Sequence, residues 1–330
     1  MRAVLDRSTF APVSVEVPAH VIATPVLEWA SGGDRMGRVA IVGPTAVYLE
    51  LAGVVVGLTA RGVPLMPNGI ALGVDGSNPR GVDPTPWSRW IAALVRPGDP
   101  ARLGSTGIDA GGVHVRWPWP LPVWEPAVPA RRWGRDAVLS RGEGILRGAG
   151  VGSMTSPGGV ARAMARDGIT LARDPLGRRA IDVLFKSLWQ RDPEVACTAA
   201  LRLLGLGAGL TPEGDDLLAA SALSITALGP SVGLGDRARR RLVAALVPEP
   251  LGRTTSLSAT LLALAAEGRA MEPVAHLLDL DDERSWAGAF DRLSRVGHTT
   301  GVVYAIGVGT TAVALARGGS SEDGPAGSGG

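Results

Sequence analysis

The chain has 330 residues, 45% hydrophobic and 19% charged, with 33 Lys and Arg against 31 Asp and Glu. That length exceeds what one hydrophobic core serves, so two lobes are expected, and the apolar content excludes an intrinsically disordered chain. A net charge of +2 gives no basis for nucleic-acid binding, and one cysteine, Cys197, excludes an intrachain disulfide or a cysteine-built metal cluster.

Charged residues interrupt the first ten positions, so no signal core forms there and a cytoplasmic protein is expected. Short apolar runs bounded by turn residues predict strands at 13–17, 38–43, 46–52, 54–58 and 69–74. A helix is expected over 84–95, with Trp87, Ile91 and Leu94 on one face, and a further strand over 112–117. Residues 118–129 carry prolines at 118, 120, 122, 126 and 129, which bars a helix or a central strand. This segment reads as an extended crossing held down by Trp117, Trp119 and Trp124.

Beyond about residue 135 the spacing becomes helical, over 178–190, 193–204, 212–228, 236–246, 255–267 and 285–296. Leu217, Leu218, Ala220, Leu223 and Ala227 form an apolar stripe on the third of these, and Cys197 is expected as a small buried side chain. Arg131, Arg132, Arg135 and Arg141 around Trp133, and the arginines at 237 and 239–241, read as solvated faces. Residues 301–316 carry no charge but fall short of a membrane span, so a buried helix or a helix-turn-strand is expected. The fold class is therefore α+β. A mostly antiparallel β lobe, sheet or small barrel, covers 1–130; a predominantly helical lobe covers 131–316; a Gly- and Ser-rich tail at 317–330 is expected to be disordered.

The most informative stretch is GLGAGLTPEGDD at 205–216. Gly205, Gly207 and Gly209 allow a sharp turn and close approach to a ligand. Thr211 and Pro212 mark a helix start as N-cap and first helical residue, so free N–H groups there suit a phosphate or carboxylate. No Lys-Ser/Thr follows, which excludes a Walker loop, and the spacing does not match the dinucleotide fingerprint. Asp215 and Asp216 are adjacent, hence about 100° apart on a helix. One is suited to orient a substrate amide or hold Mg2+, the other to brace the loop; the acids also suit the positive end of the helix.

Three later groups join the candidate site. Arg253 offers a bidentate carboxylate partner, with Thr255 and Ser256 beside it at a helix start. His298 stands in a glycine- and hydroxyl-flanked turn with Thr299 and Thr300, fit for acid–base work or for donation to an oxygen anion. Asn68, in a Pro-Asn-Gly turn of the first lobe, is a candidate ligand contact as well as a turn former. A hydroxyl-rich loop at 152–159 has no assigned role, and four scattered histidines give no zinc pattern.

The motif at 205–216, the Thr255, Ser256 and Ser258 stretch, the GHTTG block at 297–301 and the PNGI block at 67–70 together resemble a bacterial domain family that includes a subunit of oxamate carbamoyltransferase. Ala208 stands where that family has proline, and Glu213 where a small polar residue is common. The resemblance implies a transferase subunit linked to purine and allantoin breakdown, exchanging oxalurate and phosphate with oxamate and carbamoyl phosphate. It implies small anionic metabolites as ligands, and partner carbamoyltransferase subunits or a homo-oligomer as assembly; neither nucleic acid nor membrane is expected, from the near-balanced charge and the short apolar run. In that chemistry the 205–211 backbone holds a phosphate or carboxylate and Arg253 the other anionic end. His298 serves the carbonyl oxygen, and Asp215 or Asp216 takes the amide proton or positions magnesium. Two other readings stand beside it: a nucleotide- or acyl-phosphate-binding enzyme of other specificity, and a non-catalytic regulatory or scaffold subunit.

Overall fold

The computed structural model describes residues 14–75, 86–118, 120–129, 132–151, 160–166, 169–249, 252–279 and 283–318. The chain divides into two compact units, Met1–Glu125 and Pro126–Gly330. Trp119, Arg131, the 152–159 loop and the tail from 319 onward lie outside the described residues.

The first unit is a β-barrel. Its strands are β1 (Val15–Ala23), β2 (Arg35–Val42), β3 (Ala46–Leu51), β4 (Val54–Arg61), β5 (Gly69–Asp75), β6 (Pro100–Gly104), β7 (Gly107–Ala110), β8 (Val113–Arg116) and β9 (Val123–Trp124). They follow the order β5-β4-β3-β2-β6-β7-β8-β1-β9, and a β5–β1 pairing closes the ring. The β1–β8, β1–β9 and β4–β5 pairs are parallel and the others antiparallel, so the sheet is mixed. Closure leaves the ring strands without a free edge, which removes the usual template for strand addition. Residues alternate inward and outward as the period of two demands: on β8, Val113 and Val115 are buried while His114 and Arg116 are half-buried. Ile22, Leu49, Leu58, Ile70, Leu103 and Ile108 fill the interior with Trp87 and Ile91 of α2 (Pro86–Leu94).

Three barrel-unit elements had no sequence signal. Helix α1 (Thr24–Ser31) follows β1 without a break, and β6 and β7 contain Pro, Gly and Asp, all poor strand formers. Their pairing partners, not their composition, make them strands. The proline-rich segment contributes only the two-residue strand β9 on β1. Its prolines lack N–H groups but retain carbonyls, and Pro122 O accepts from Ile22 N at 3.0 Å. Trp117 and Trp124 pack partly buried against the barrel core.

The second unit is helical: α3 (Arg135–Gly148), α4 (Val160–Arg166), α5 (Thr170–Arg173), α6 (Pro175–Gln190), α7 (Pro193–Leu203), α8 (Glu213–Leu228), a 3-10 turn at Gly229–Val232, α9 (Asp236–Leu246), α10 (Ser256–Ala266), α11 (Glu272–Leu278), α12 (Glu283–Ser294) and α13 (Thr300–Arg317). Helices α8 and α13 form its centre. The expected apolar stripe on α8 is instead burial around nearly the whole circumference, because other helices enclose it; among its residues only Thr226 is not fully buried. Such burial explains why no amphipathic period is needed there. By length and composition α13 is apolar enough to cross a bilayer, but most of it is enclosed, with α3, α6, α8 and α12 packed against it.

Small residues set how closely these helices approach. A Cβ at Gly307 of α13 would stand 2.7 Å from Ala220 Cβ of α8, and one at Gly309 would stand 3.0 Å from Gly142 O of α3. Thr311 Oγ1 donates to Ser221 Oγ at 3.1 Å, giving the dry α8–α13 seam a polar register mark.

Arg135 is exposed as expected, but it is also a structural donor: its guanidinium donates to Ala316 O at 2.9 Å and Gly318 O at 3.1 Å at the α13 C-terminus, and to Val232 O at 2.9 Å at the end of the 3-10 turn. Cys197 is half-buried rather than enclosed.

Gly142→Ala places a methyl 2.9 Å from both Ala312 Cβ and Gly309 O, at a site with no room to relax. The expected cost is about 1–3 kcal/mol of stability, read as a lower urea midpoint at unchanged m-value.

Candidate functional site

The glycine-rich loop between α7 and α8 has a conformation only glycine supports well. Gly205, Gly207 and Gly209 have φ of 74°, 115° and 101°. At Gly205 a side chain is excluded twice, because a Cβ there would fall on the carbonyl oxygen of Arg253. The loop thus lies directly against the segment that leads into α10. At Gly209 nothing lies within 4 Å of the added Cβ. Residues 207–210 are exposed, whereas α8 is buried from its first residue.

Helix α8 starts one residue later than the sequence suggests, with Pro212 as N-cap at φ −52° and ψ 140°. Thr211 therefore makes no cap. Its hydroxyl donates to Asp216 Oδ2 at 3.3 Å and stands 3.0 Å from Thr300 Oγ1, the first residue of α13. Three acids occupy the first turn of α8, and each is 2% exposed.

The three carboxylates have separate surroundings. Glu213 accepts from Thr170 Oγ1 at 3.0 Å and Leu171 N at 2.6 Å, so it holds the start of α5. Asp215 accepts from Gly205 N at 2.7 Å through Oδ1 and from Thr254 Oγ1 through Oδ2. Ser258 Oγ is close enough to favour the charged form of Asp215 but completes no hydrogen bond of good geometry. Burial pushes the Asp215 carboxyl above the ordinary range, against the pull of Gly205, Thr254 and Ser258. Asp216 faces the other way, toward α13. Burial lifts its carboxyl well above the usual carboxylate range; Asp215 and Glu213 add to the rise, and Thr300 and Thr211 oppose it.

The starts of three helices meet here. Thr254 and Thr255 precede α10, and Thr255 Oγ1 donates to Leu210 O at 2.7 Å while accepting from Ser258 N at 3.1 Å. Thr300 opens α13, and Glu213 opens α8. Each helix start presents a partial positive charge, which is what makes two buried, adjacent acids tolerable. Tyr304 lies one turn beyond Thr300, and burial, then Asp216, then Asp215 raise its phenol well above the ordinary value.

The residues singled out in the sequence are not all gathered. Gly205, Thr211, Asp215, Asp216, Thr255 and Thr300 fall into three hydrogen-bonded sets at these helix starts: Gly205 and Thr254 on Asp215, Thr211 with Asp216 and Thr300, and Thr255 on Leu210 O. Arg253 adjoins Gly205 through its backbone, while its exposed side chain reaches Leu201 O at 3.4 Å. Ser256 is exposed at the first turn of α10. His298 is exposed in the turn before α13, and Thr299 is half-buried as N-cap without a side-chain cap bond. Asn68 belongs to the barrel unit, fully buried, with Nδ2 donating to Val55 O at 2.9 Å. A cleft of about 490 Å³ borders the loop at Leu206 and is lined also by Asp174, Leu176, Arg179 and Arg202. Among the described residues no group of three or more His, Cys, Asp or Glu is placed to hold a metal, and both oxygens of Asp215 already accept protein donors.

Sequence reasoning gave no role to Thr254, the hydroxyl partner of Asp215, or to Tyr304. The signal for Tyr304 was available: it is the one ionisable side chain within the uncharged run 301–316.

Residues 203–312 match the family model described as oxamate carbamoyltransferase subunit AllH. The matched stretch contains all three hydrogen-bonded sets above and leaves the barrel unit outside. Neither the curated proteins nor the solved structures hold a match to the chain.

Two measurements follow from this geometry. Gly205→Ala combines a left-handed φ with a backbone collision and should cost more stability than Gly209→Ala, which meets open space; strain alone accounts for about 1–2 kcal/mol, and thermal unfolding of the two variants ranks them. The second concerns pH. Because the folded-state pKa of Asp216 is raised, the native protein holds that proton more tightly than the unfolded chain, and stability falls as pH rises from the ordinary aspartate value near 3.9 to the raised folded value. Asp216→Asn removes this loss, so its Tm relative to the parent should be most favourable at neutral pH and decline as pH approaches about 4.

Proposed function

We propose that this chain is a subunit of a carbamoyltransferase-like enzyme acting on small anionic substrates of the oxamate, oxalurate and carbamoyl phosphate type. The observation that carries the reading is Asp216: a buried carboxylate of raised basicity, hydrogen-bonded to hydroxyls at two helix starts, inside the stretch that matches the transferase-subunit family.

In the forward direction the amide nitrogen of the acceptor attacks the carbonyl carbon of carbamoyl phosphate. A new N–C bond forms, the C–O bond to phosphate breaks, inorganic phosphate leaves, and one amide proton must go to a base. A carboxylate tuned above its ordinary pKa suits that proton, because base strength and availability are balanced nearer neutral pH. Asp216 is assigned this role. Thr211 and Thr300 hold its orientation, while Asp215 keeps the loop closed on α10. The exposed 207–210 backbone, running into the start of α8, receives the phosphate or carboxylate group. His298, exposed two residues before Thr300, supplies a donor for the carbonyl oxygen as charge develops there. Arg253 and Arg202 offer exposed cations for the remaining anionic end.

Since His298 and Arg253 stand on the surface beside the acids, a partner subunit is expected to enclose them. The test measures oxalurate- and phosphate-dependent formation of carbamoyl phosphate by the chain with its co-purifying partners. Asp216→Asn should lower the rate by about 10²–10⁴-fold. In this direction the leaving amide nitrogen takes up a proton, so Asp216 acts in its protonated form, and the alkaline limb of the pH–rate profile should lie above the ordinary carboxylate range and disappear in that variant. Full activity in both Asp216→Asn and His298→Ala would overturn the assignment.

A further inference from the structure

Helix α6 carries a group of cations that the carbamoyl-transfer reading does not use. Arg178, Arg179 and Lys186 of α6 and Arg162 of α4 line a cleft of about 440 Å³, together with Asp182. Four cations therefore face one carboxylate across this concavity. All four are exposed, whereas Asp182 is half-buried. Arg178, Asp182 and Lys186 are spaced four residues apart, so they share one face of the helix. With a rise of about 1.5 Å per residue, Arg178 and Lys186 bracket about 12 Å of that face, with Asp182 midway.

A surplus of cations in a concave site is relieved by an anion, and paired guanidinium groups suit phosphate because their N–H forks match its oxygens. Asp182 adds a second requirement. Its Oδ1 is buried and accepts no hydrogen bond among the described residues, so the carboxylate wants a donor as the cations want an acceptor. A bare inorganic anion fills only the first need. A nucleic-acid backbone supplies a long track of phosphates, but the cations here gather around one cleft on one helix.

We propose that the cleft between α4 and α6 binds a small phosphorylated metabolite that carries an N–H or O–H donor near its phosphate. The guanidinium groups of Arg178 and Arg179 take the phosphate oxygens, Arg162 and Lys186 close the sides, and Asp182 accepts from the donor. The neighbouring cleft at Leu206 shares Arg179, which places this ligand next to the glycine-rich loop without making it part of the reaction described above. The proposal stands whether or not Asp216 is a catalytic base.

The experiment is calorimetric titration of the full chain at low ionic strength with O-phosphoserine, inorganic phosphate and a short single-stranded oligonucleotide. O-phosphoserine should bind saturably and more tightly than inorganic phosphate. The double variant Arg178→Ala/Arg179→Ala should weaken it by about tenfold or more, and Lys186→Ala should weaken it to a smaller degree. All these side chains except Asp182 are exposed, so circular dichroism should show unchanged folding in the arginine and lysine variants. Asp182→Ala should retain phosphate binding and lose the preference for O-phosphoserine. Absence of saturable binding to the unmodified chain, affinity untouched in both the double variant and Lys186→Ala, or tighter binding of the oligonucleotide would each overturn the proposal. A preference that survives Asp182→Ala would overturn the role given to that carboxylate.

Discussion

The carboxylate of Asp215 is the contact on which the helical unit's candidate site depends. It accepts the N–H of Gly205 on one oxygen and the hydroxyl of Thr254 on the other. Those two donors come from the loop before α8 and the segment before α10, separated by about 49 residues of chain. A buried charge is costly, and this one is kept because hydrogen bonds and the starts of the helices offset part of the loss. The same carboxylate fixes the turn at Gly205, where the carbonyl of Arg253 comes too close for any side chain.

Asp216 uses the opposite arrangement. Its hydroxyl partners at Thr211 and Thr300 only partly oppose burial, and two neighbouring acids work against its ionisation. A protein selected for stability alone has little reason to keep it, since an amide or apolar residue removes the burden. The α8–α13 seam beneath it is dry and tight, with Gly307 against Ala220 and Thr311 bonded to Ser221, so the acid is held on a rigid base. A destabilised ionisable group on such a base is the observation behind the catalytic role proposed for Asp216.

The barrel unit and the helical unit satisfy their polar groups in different ways. In the barrel, ring closure pairs the strands and a register shift within β2–β3 accommodates the curvature. In the helical unit, side chains complete the helix ends: Glu213 at α5, Thr255 at α10, Asp192 at α7, and Arg135 at the carbonyl end of α13. The last of these takes an arginine that looks like surface charge and makes it structural.

Sequence by itself determined the order of the two lobes, the strands with strong alternation such as β3 and β8, and most of the helices from α6 onward, because each has a local period that its burial requires. It also located the glycine-rich turn, since three alternate glycines before a Thr-Pro helix start form a local code. Tertiary structure alone decided that β6 and β7 are strands, that α8 is buried on all sides, and that Asp215 braces while Asp216 faces α13. It alone brought Thr254 and Tyr304 to the acids. The contacts at the acids depend on partners 39 to 89 positions away, such as Thr254 for Asp215 and Thr300 for Thr211. Local periodicity records which face of a helix is apolar; it holds no information about which distant hydroxyl will meet a carboxylate there.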